Sequence, residues 1–131
     1  MSDPIVLVSV ARTPMGGMMG SLSGLAAHEL GSVAIKAALQ RAGIDNKAVN
    51  EVIMGNVLQA GQGQAPARQA ALGAGLPQSV GCTTIHKVCG SGLKAAMFGH
   101  DLLLAGSADV VVAGGQESMS QAPHAAHLRS G

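Results

Sequence analysis

A cysteine bracketed by glycines can act as a nucleophile when its surroundings favour the thiolate, and residues 86–96, HKVCGSGLKAA, place Cys89 in such company. Residues 80–88, VGCTTIHKV, are rich in Val, Ile and Thr and predict a strand, whereas residues 93–104 predict a helix. Cys89 falls where one turns into the other. Unpaired N–H groups of the first helical turn, with the positive end of the helix dipole, favour a thiolate at that place. Gly90 and Gly92 leave room beside the sulfur for a ligand or another stretch of backbone. The competing reading makes Cys89 a small buried hydrophobe, the usual fate of a free cysteine. Position alone does not choose between the two.

Other groups carry less. His86 and Lys87 are near enough in sequence to activate Cys89, but along an extended strand the odd offset of His86 turns it away, and neither is a secure activator. Cys82 lies seven positions before Cys89, which matches no zinc spacing. Two sulfurs so placed along one strand are too far apart to bridge, so both are expected as free thiols. His124 and His127 could share a helical face and hold a metal, yet no third ligand is in view, and a solvated pair is the preferred reading. His28 and His100 fall on predicted helices and are assigned structural or surface roles. Gly61, Gly63 and Ala65 imitate the start of a dinucleotide fingerprint. Pro66 then occupies the place of its last small residue, and no acidic residue follows at the spacing a ribose would need. Arg68 and Glu117 are candidates for a structural ion pair.

The elements that must position Cys89 alternate. Residues 5–10 form a short apolar run that predicts a buried strand, ended by Pro14, Gly16 and Gly17. Ser23 is a candidate cap for a helix in which Leu30, Val33, Ala34, Ala37 and Ala38 recur at helical spacing before Gly43. Residues 51–58 predict a second strand, Pro66 opens a helix that Gly75 and Pro77 close, and residues 109–113 predict a fourth strand. Alternation with apolar strands argues for an α/β layered fold, with a mostly parallel sheet and helices on both faces. The helix after Cys89 has only Lys94, His100 and Asp101 as charged or titratable residues. A helix apolar on most faces wants to be buried, and a chain this short has little protein with which to cover it.

Composition narrows the partners. The chain has 131 residues, enough for one domain with a real core. Hydrophobic residues make up 47%, charged residues 11%, and one Phe is the only aromatic. The core must therefore be built from small aliphatic side chains, and little surface is suited to stacking on bases. A net charge of +1 gives no electrostatic case for nucleic acid or an acidic membrane surface. No secretory signal or membrane-spanning run is visible, and the expected location is the cytoplasm.

The string KVCGSGLKA resembles the nucleophile segment of the thiolases, the acyl-CoA C-acyltransferases that make or cleave 3-ketoacyl-CoA. Four further blocks follow the family's order: SVARTPMGG at 9–17, SLSGLAAHELG at 21–31, EVIMGNVLQAGQGQAPARQAA at 51–71 and ADVVVAGGQESMSQAP at 108–123. The wording at 51–71 is most similar to the acetyl-CoA acetyltransferase branch. The resemblance implies a thiolase-like layered fold of which only the N-terminal half is present. Residues 4–119 would form the N-terminal domain and residues 120–131 the beginning of a truncated loop region. It further implies an acyl-enzyme on Cys89, with the Cys89 N–H as an oxyanion donor, and acetyl-CoA or another acyl-CoA as substrate. No cofactor or metal is implied, and the full-length form is expected to be a homo-oligomer without nucleic-acid or membrane partners.

The family also uses a histidine in a Gly-His-Pro motif, an asparagine in an Asn-Glu-Ala-Phe motif and a second cysteine in a glycine-rich loop. None of those motifs occurs in these 131 residues. Smaller departures are His86, where asparagine is more usual, Gln116, where methionine is common, and the HAAH segment at 124–127. Two expectations follow: an acetyl-CoA acetyltransferase lacking part of its machinery, or a catalytically incomplete fragment that serves as a binding or interaction module.

Overall fold

Strand β1, Glu51–Gly55, is the centre of a three-stranded sheet, and both of its neighbours lie parallel to it. On one side runs β2, Gly81–Ile85, with Val52 opposite Cys82; on the other runs β3, Val111–Gly115, with Val52 opposite Val112. The computed structural model describes residues 3–129, so the last two residues of the expected 120–131 loop region lie outside it. Parallel strands need crossover connections, and here these carry helices. Helix α1, Ala27–Ala42, precedes β1; α2, Pro66–Gly73, joins β1 to β2; and α3, Ser91–Leu104, joins β2 to β3.

Alternation along β1 sorts the helices between the faces. Val52 and Met54 point into a core with Ile35 and Leu39 of α1 and Ala67, Ala70 and Ala71 of α2. Gly55 points the other way, onto the start of α3, and Gly99 of α3 packs on Val111 and Ala113 of β3. Helices therefore cover both faces of a parallel sheet, as the alternating pattern requires. The small core residues have a purpose: Ala67, Ala70 and Ala71 let α2 approach α1 and the sheet closely.

Local signals explain the helix ends. Gly43, at φ 66°, closes α1, its N–H donating to the Gln40 carbonyl while the Ile44 N–H reaches Leu39. Ser23 does not cap that helix. The cap position is Ala26, whose N–H donates to Glu29 Oε2 at 2.7 Å, so the acidic residue of the first turn does the capping alone. Pro66 occupies the first turn of α2, where its missing N–H costs nothing.

Residues 5–10 form no strand. Ile5, Val6, Leu7, Val8 and Val10 are exposed, Leu7 to 90%. The segment runs past β3 across a cleft of about 580 Å³ that α1 and α3 also line, and its one side-chain tie among the described residues is from Arg41 Nη1 to the Val10 carbonyl, 2.9 Å. An apolar run signals burial, but a strand exists only where a ladder pairs its N–H and C=O groups, and no neighbouring strand does so here. Two of the other strands are shorter than their apolar runs, and the strand expected at residues 109–113 forms as β3 two residues later. Residues 56–58 leave the sheet to bond Glu117, and residues 86–88 leave it to build the turn at Cys89.

Helix α3 meets the expectation of an under-covered apolar helix. Ser91, Ala95 and Gly99 are buried against β1 and β3, whereas Leu93 is 72% exposed and Met97, Phe98 and Leu104 are exposed with it. No helix among the described residues is long and apolar enough to cross a membrane.

Candidate active site

The three strands end side by side, and the first turn of α3 crosses directly above two of them. Glycines make that crossing possible. Gly92 sits over Gly114 and Gly115, so nothing but backbone separates helix from sheet, and Gly55 lies beneath Ser91. This puts the residues before Ser91 at the C-terminal edge of the sheet, where Cys89 is exposed.

Cys89 lines an open cleft of about 490 Å³ with Asn56, Leu58, Val88, Gln116 and Glu117. It belongs to neither strand nor helix, since β2 stops at Ile85 and α3 begins at Ser91. The intervening turn consumes some N–H groups expected to be free: Gly90 donates to the Lys87 carbonyl at 3.1 Å and Ser91 to the Val88 carbonyl at 3.1 Å. The N–H of Cys89 donates to no group among the described residues and is available to an incoming oxyanion. Position thus decides between the two readings of Cys89: it is exposed in a cleft, not packed in the core.

His86 and Lys87 come out differently from the alternation argument, because the backbone there is no longer extended. His86 does not contact the sulfur. Its Nδ1 accepts the N–H of Val88 at 3.0 Å, while the Lys87 N–H donates to Ser91 Oγ at 2.8 Å. Neither side chain hydrogen-bonds Cys89 among the described residues.

Sequence reasoning missed the other wall of the cleft. Glu117 does not pair with Arg68. Its carboxylate accepts Asn56 Nδ2 at 2.9 Å, the Val57 N–H at 2.8 Å and the Leu58 N–H at 3.0 Å, while Arg68 donates to the carbonyls of Val80 and Gln78. Arg68 is spent on backbone, and Glu117 on backbone and the Asn56 amide, at opposite ends of the sheet. Beside Glu117, the Gln116 amide nitrogen reaches Asn56 Oδ1 and the Pro66 carbonyl at 3.4 and 3.3 Å, and Gln116 Oε1 is buried against Gly31 without a partner. The one available signal was the run Gly114-Gly115-Gln116-Glu117 at a strand end, where polar groups meet the neighbouring loop.

The remaining candidates lie apart from the cleft. Cys82 is half-buried on β2, its thiol near the Val80 carbonyl. Burial pushes that thiol above its ordinary value, and Glu51 adds to the rise, while the guanidinium of Arg68 pulls it down. Because the folded chain holds this proton more tightly, the associated stability is present at neutral pH and is lost as the pH climbs through the alkaline range where Cys82 ionises. Reactivity should separate the two thiols. Iodoacetamide at neutral pH is expected to alkylate Cys89 about tenfold or more faster than Cys82, and peptide mass mapping at short times would show equal labelling if the cleft did not expose Cys89. His124 and His127 are exposed in an irregular stretch, not on a helix. No cluster of three or more potential metal ligands occurs among the described residues. Gly61, Gly63 and Ala65 bend a loop held by Gln69, whose side-chain nitrogen reaches the carbonyls of Gln62 and Gln64.

A cysteine at a strand-to-helix turn, above the C-terminal edge of a parallel sheet covered by helices on both faces, defines a layered α/β domain that presents an exposed thiol in a cleft. Comparison with known proteins narrows that class: residues 5–131 match the family model described as Thiolase, N-terminal domain, and the chain belongs to the thiolase family. It is 60% identical over 128 residues to acetyl-CoA acetyltransferase 2 of Arabidopsis thaliana, covering 97% of this chain and 32% of that protein. It is 58% identical over 120 residues to the mitochondrial acetyl-CoA acetyltransferase of Homo sapiens, covering 92% of this chain and 28% of the relative. The crystal structure of Acat5 thiolase from Ascaris suum, in complex with coenzyme A, superimposes with a TM-score of 0.90 at 42% identity, over 92% of this chain and 31% of that one. The chain spans about a third of the length of the curated relatives it matches.

Proposed function

We propose that this chain carries the acyl-accepting part of an acyl-CoA C-acetyltransferase, which condenses two acetyl-CoA to acetoacetyl-CoA or runs the reverse thiolysis through an acyl-enzyme on Cys89. The observation that carries the reading is an exposed thiol at the start of α3, in an open cleft, with its own N–H unused. The acetyl-CoA acetyltransferase relatives and the coenzyme A complex of the Ascaris suum thiolase support a coenzyme A thioester as the substrate class.

In the first half-reaction the Cys89 thiolate attacks the thioester carbonyl carbon. A carbon–sulfur bond forms, the carbonyl electron pair moves onto oxygen, and the Cys89 N–H donates to that oxyanion. Collapse breaks the bond to the coenzyme A sulfur, which leaves as a thiolate and takes a proton from solvent. The second half-reaction needs a base for the carbon next to a second thioester. Glu117 is the one carboxylate lining the described cleft, and its oxygens are engaged by three N–H donors; no imidazole and no second thiol line it.

The described residues therefore support acylation, and completing the cycle draws on the family's remaining motifs. The same observation favours a second reading, a catalytically incomplete module whose exposed α3 face binds another protein surface. Released coenzyme A, measured with a thiol reagent, distinguishes them. Acetyl-CoA is expected to yield about one equivalent of free coenzyme A per chain and then stop. No release from a chain shown to be folded would sink the acylation reading and leave the module.

A further inference from the structure

Val88, immediately before Cys89, sits at φ 49°. For a β-branched residue that conformation costs about 1–3 kcal/mol, so the surroundings must hold it. Two groups do. On one side, the Val88 carbonyl accepts Ser91 Oγ at 2.6 Å, and the same hydroxyl accepts the Lys87 N–H at 2.8 Å. Ser91 is buried over Gly55, so this side is rigid. On the other, the Val88 N–H donates to Nδ1 of His86 at 3.0 Å, in the open. This second contact has a chemical condition: an imidazole nitrogen accepts only while it carries no proton.

We propose that His86 is a positioning residue for Cys89, acting as a neutral imidazole whose Nδ1 holds the Val88 N–H and so aims the peptide that leads into the nucleophile. The inference rests on the reading of Cys89 as the acyl acceptor. The Val88–Cys89 peptide carries the Cys89 N–H, so rotation at Val88 moves both the sulfur and the oxyanion donor. Protonation turns Nδ1 from acceptor to donor, sets two N–H groups against each other and opens the clamp on that side.

The other titratable groups nearby do not take over this role. Lys87 and Cys89 belong to the turn itself. From α3, the Lys94 ammonium lies 4.3 Å over the Phe98 ring, and from the end of β3 the carboxylate of Glu117 is held by three N–H donors. Among the described residues no ion pair involves His86. An asparagine at this position would make the same contact, since its side-chain oxygen accepts the N–H two residues on without titrating.

Two measurements test the assignment. Nitrogen-15 NMR of the intact chain at neutral pH is expected to show His86 with its proton on Nε2 and a hydrogen-bonded Nδ1; a proton on Nδ1 overturns it. Acylation by acetyl-CoA is then followed across pH for the parent, His86→Asn and His86→Ala. The ratio of the parent rate to the His86→Asn rate is expected to fall as the pH is lowered, while His86→Ala is slower than His86→Asn at every pH by about tenfold, the worth of one ordinary hydrogen bond. A ratio flat with pH, or His86→Ala as fast as His86→Asn, overturns it. If no variant, the parent included, is acylated, the acyl-acceptor reading fails, and the NMR result still decides the clamp.

Discussion

Replacing Gly55 by alanine is expected to unseat helix α3 and take Cys89 with it. A Cβ at Gly55 would lie 2.5 Å from Ser91 Cβ, 2.6 Å from the Ser91 carbonyl carbon and 2.8 Å from the Gly92 nitrogen. Two of those atoms are backbone of the first helical turn, so no rotamer change relieves them. Overpacking a core typically costs about 1–3 kcal/mol. Here, where helix backbone rests on strand backbone, the expected loss is at least about 3 kcal/mol, seen as a fall in Tm of roughly 10 °C. The same variant should acylate slowly even where it remains folded, because Ser91 is both the residue displaced and the anchor of the Val88 turn. An unchanged melting curve would mean that α3 does not sit on β1 as described.

The second large effect is expected at Glu117. Its carboxylate satisfies Asn56 Nδ2 and two consecutive backbone N–H groups, and these pin the loop that walls the cleft opposite Cys89. Hydrogen bonds to a charged acceptor contribute about 1.5–3 kcal/mol each, less where water can replace them. Glu117→Ala is therefore expected to destabilise the chain by about 3 kcal/mol in denaturant titrations, and Glu117→Gln by roughly half that, since one acceptor oxygen remains. Arg68→Ala should be additive with either, because Arg68 bonds the carbonyls of Val80 and Gln78 and not Glu117. A coupling above about 1 kcal/mol in the double variant would restore the ion pair for which Arg68 and Glu117 were candidates.

These two positions show where sequence reasoning reached and where it stopped. The layered α/β fold, the parallel sheet, Pro66 opening α2, Gly43 closing α1 and the place of Cys89 between strand and helix were legible, because each follows from local pattern or from the ordered family blocks. That residues 5–10 would form no strand was not, because hydrophobicity reports a wish for burial and says nothing of which edge will pair. The ends of the strands around the cleft were over-extended for a related reason. Val57 and Leu58, and likewise Lys87 and Val88, lie in runs of strand-like composition, yet their backbone groups find a carboxylate, an imidazole and a hydroxyl instead of a ladder.

Alternation turned His86 away from Cys89 only on the assumption of a strand through residue 88; β2 ends at Ile85, and His86 Nδ1 accepts the Val88 N–H instead. The pairing of Glu117 with Arg68 was a guess from scarcity of charge, and a neutral backbone proved the better partner for both. His86 itself was visible only as a departure from the family's usual residue. Its hydrogen bond to Val88 gives that departure a physical meaning.

The central claim is that Cys89 accepts an acyl group from a coenzyme A thioester. The most direct measurement is the intact mass of the 131-residue chain after incubation with acetyl-CoA, beside a Cys89→Ser control, with peptide mapping of any adduct. One added acetyl group on Cys89, absent from the control and absent from Cys82, is the predicted result. No added mass in a folded chain, or an acetyl group that persists in the control, would contradict it.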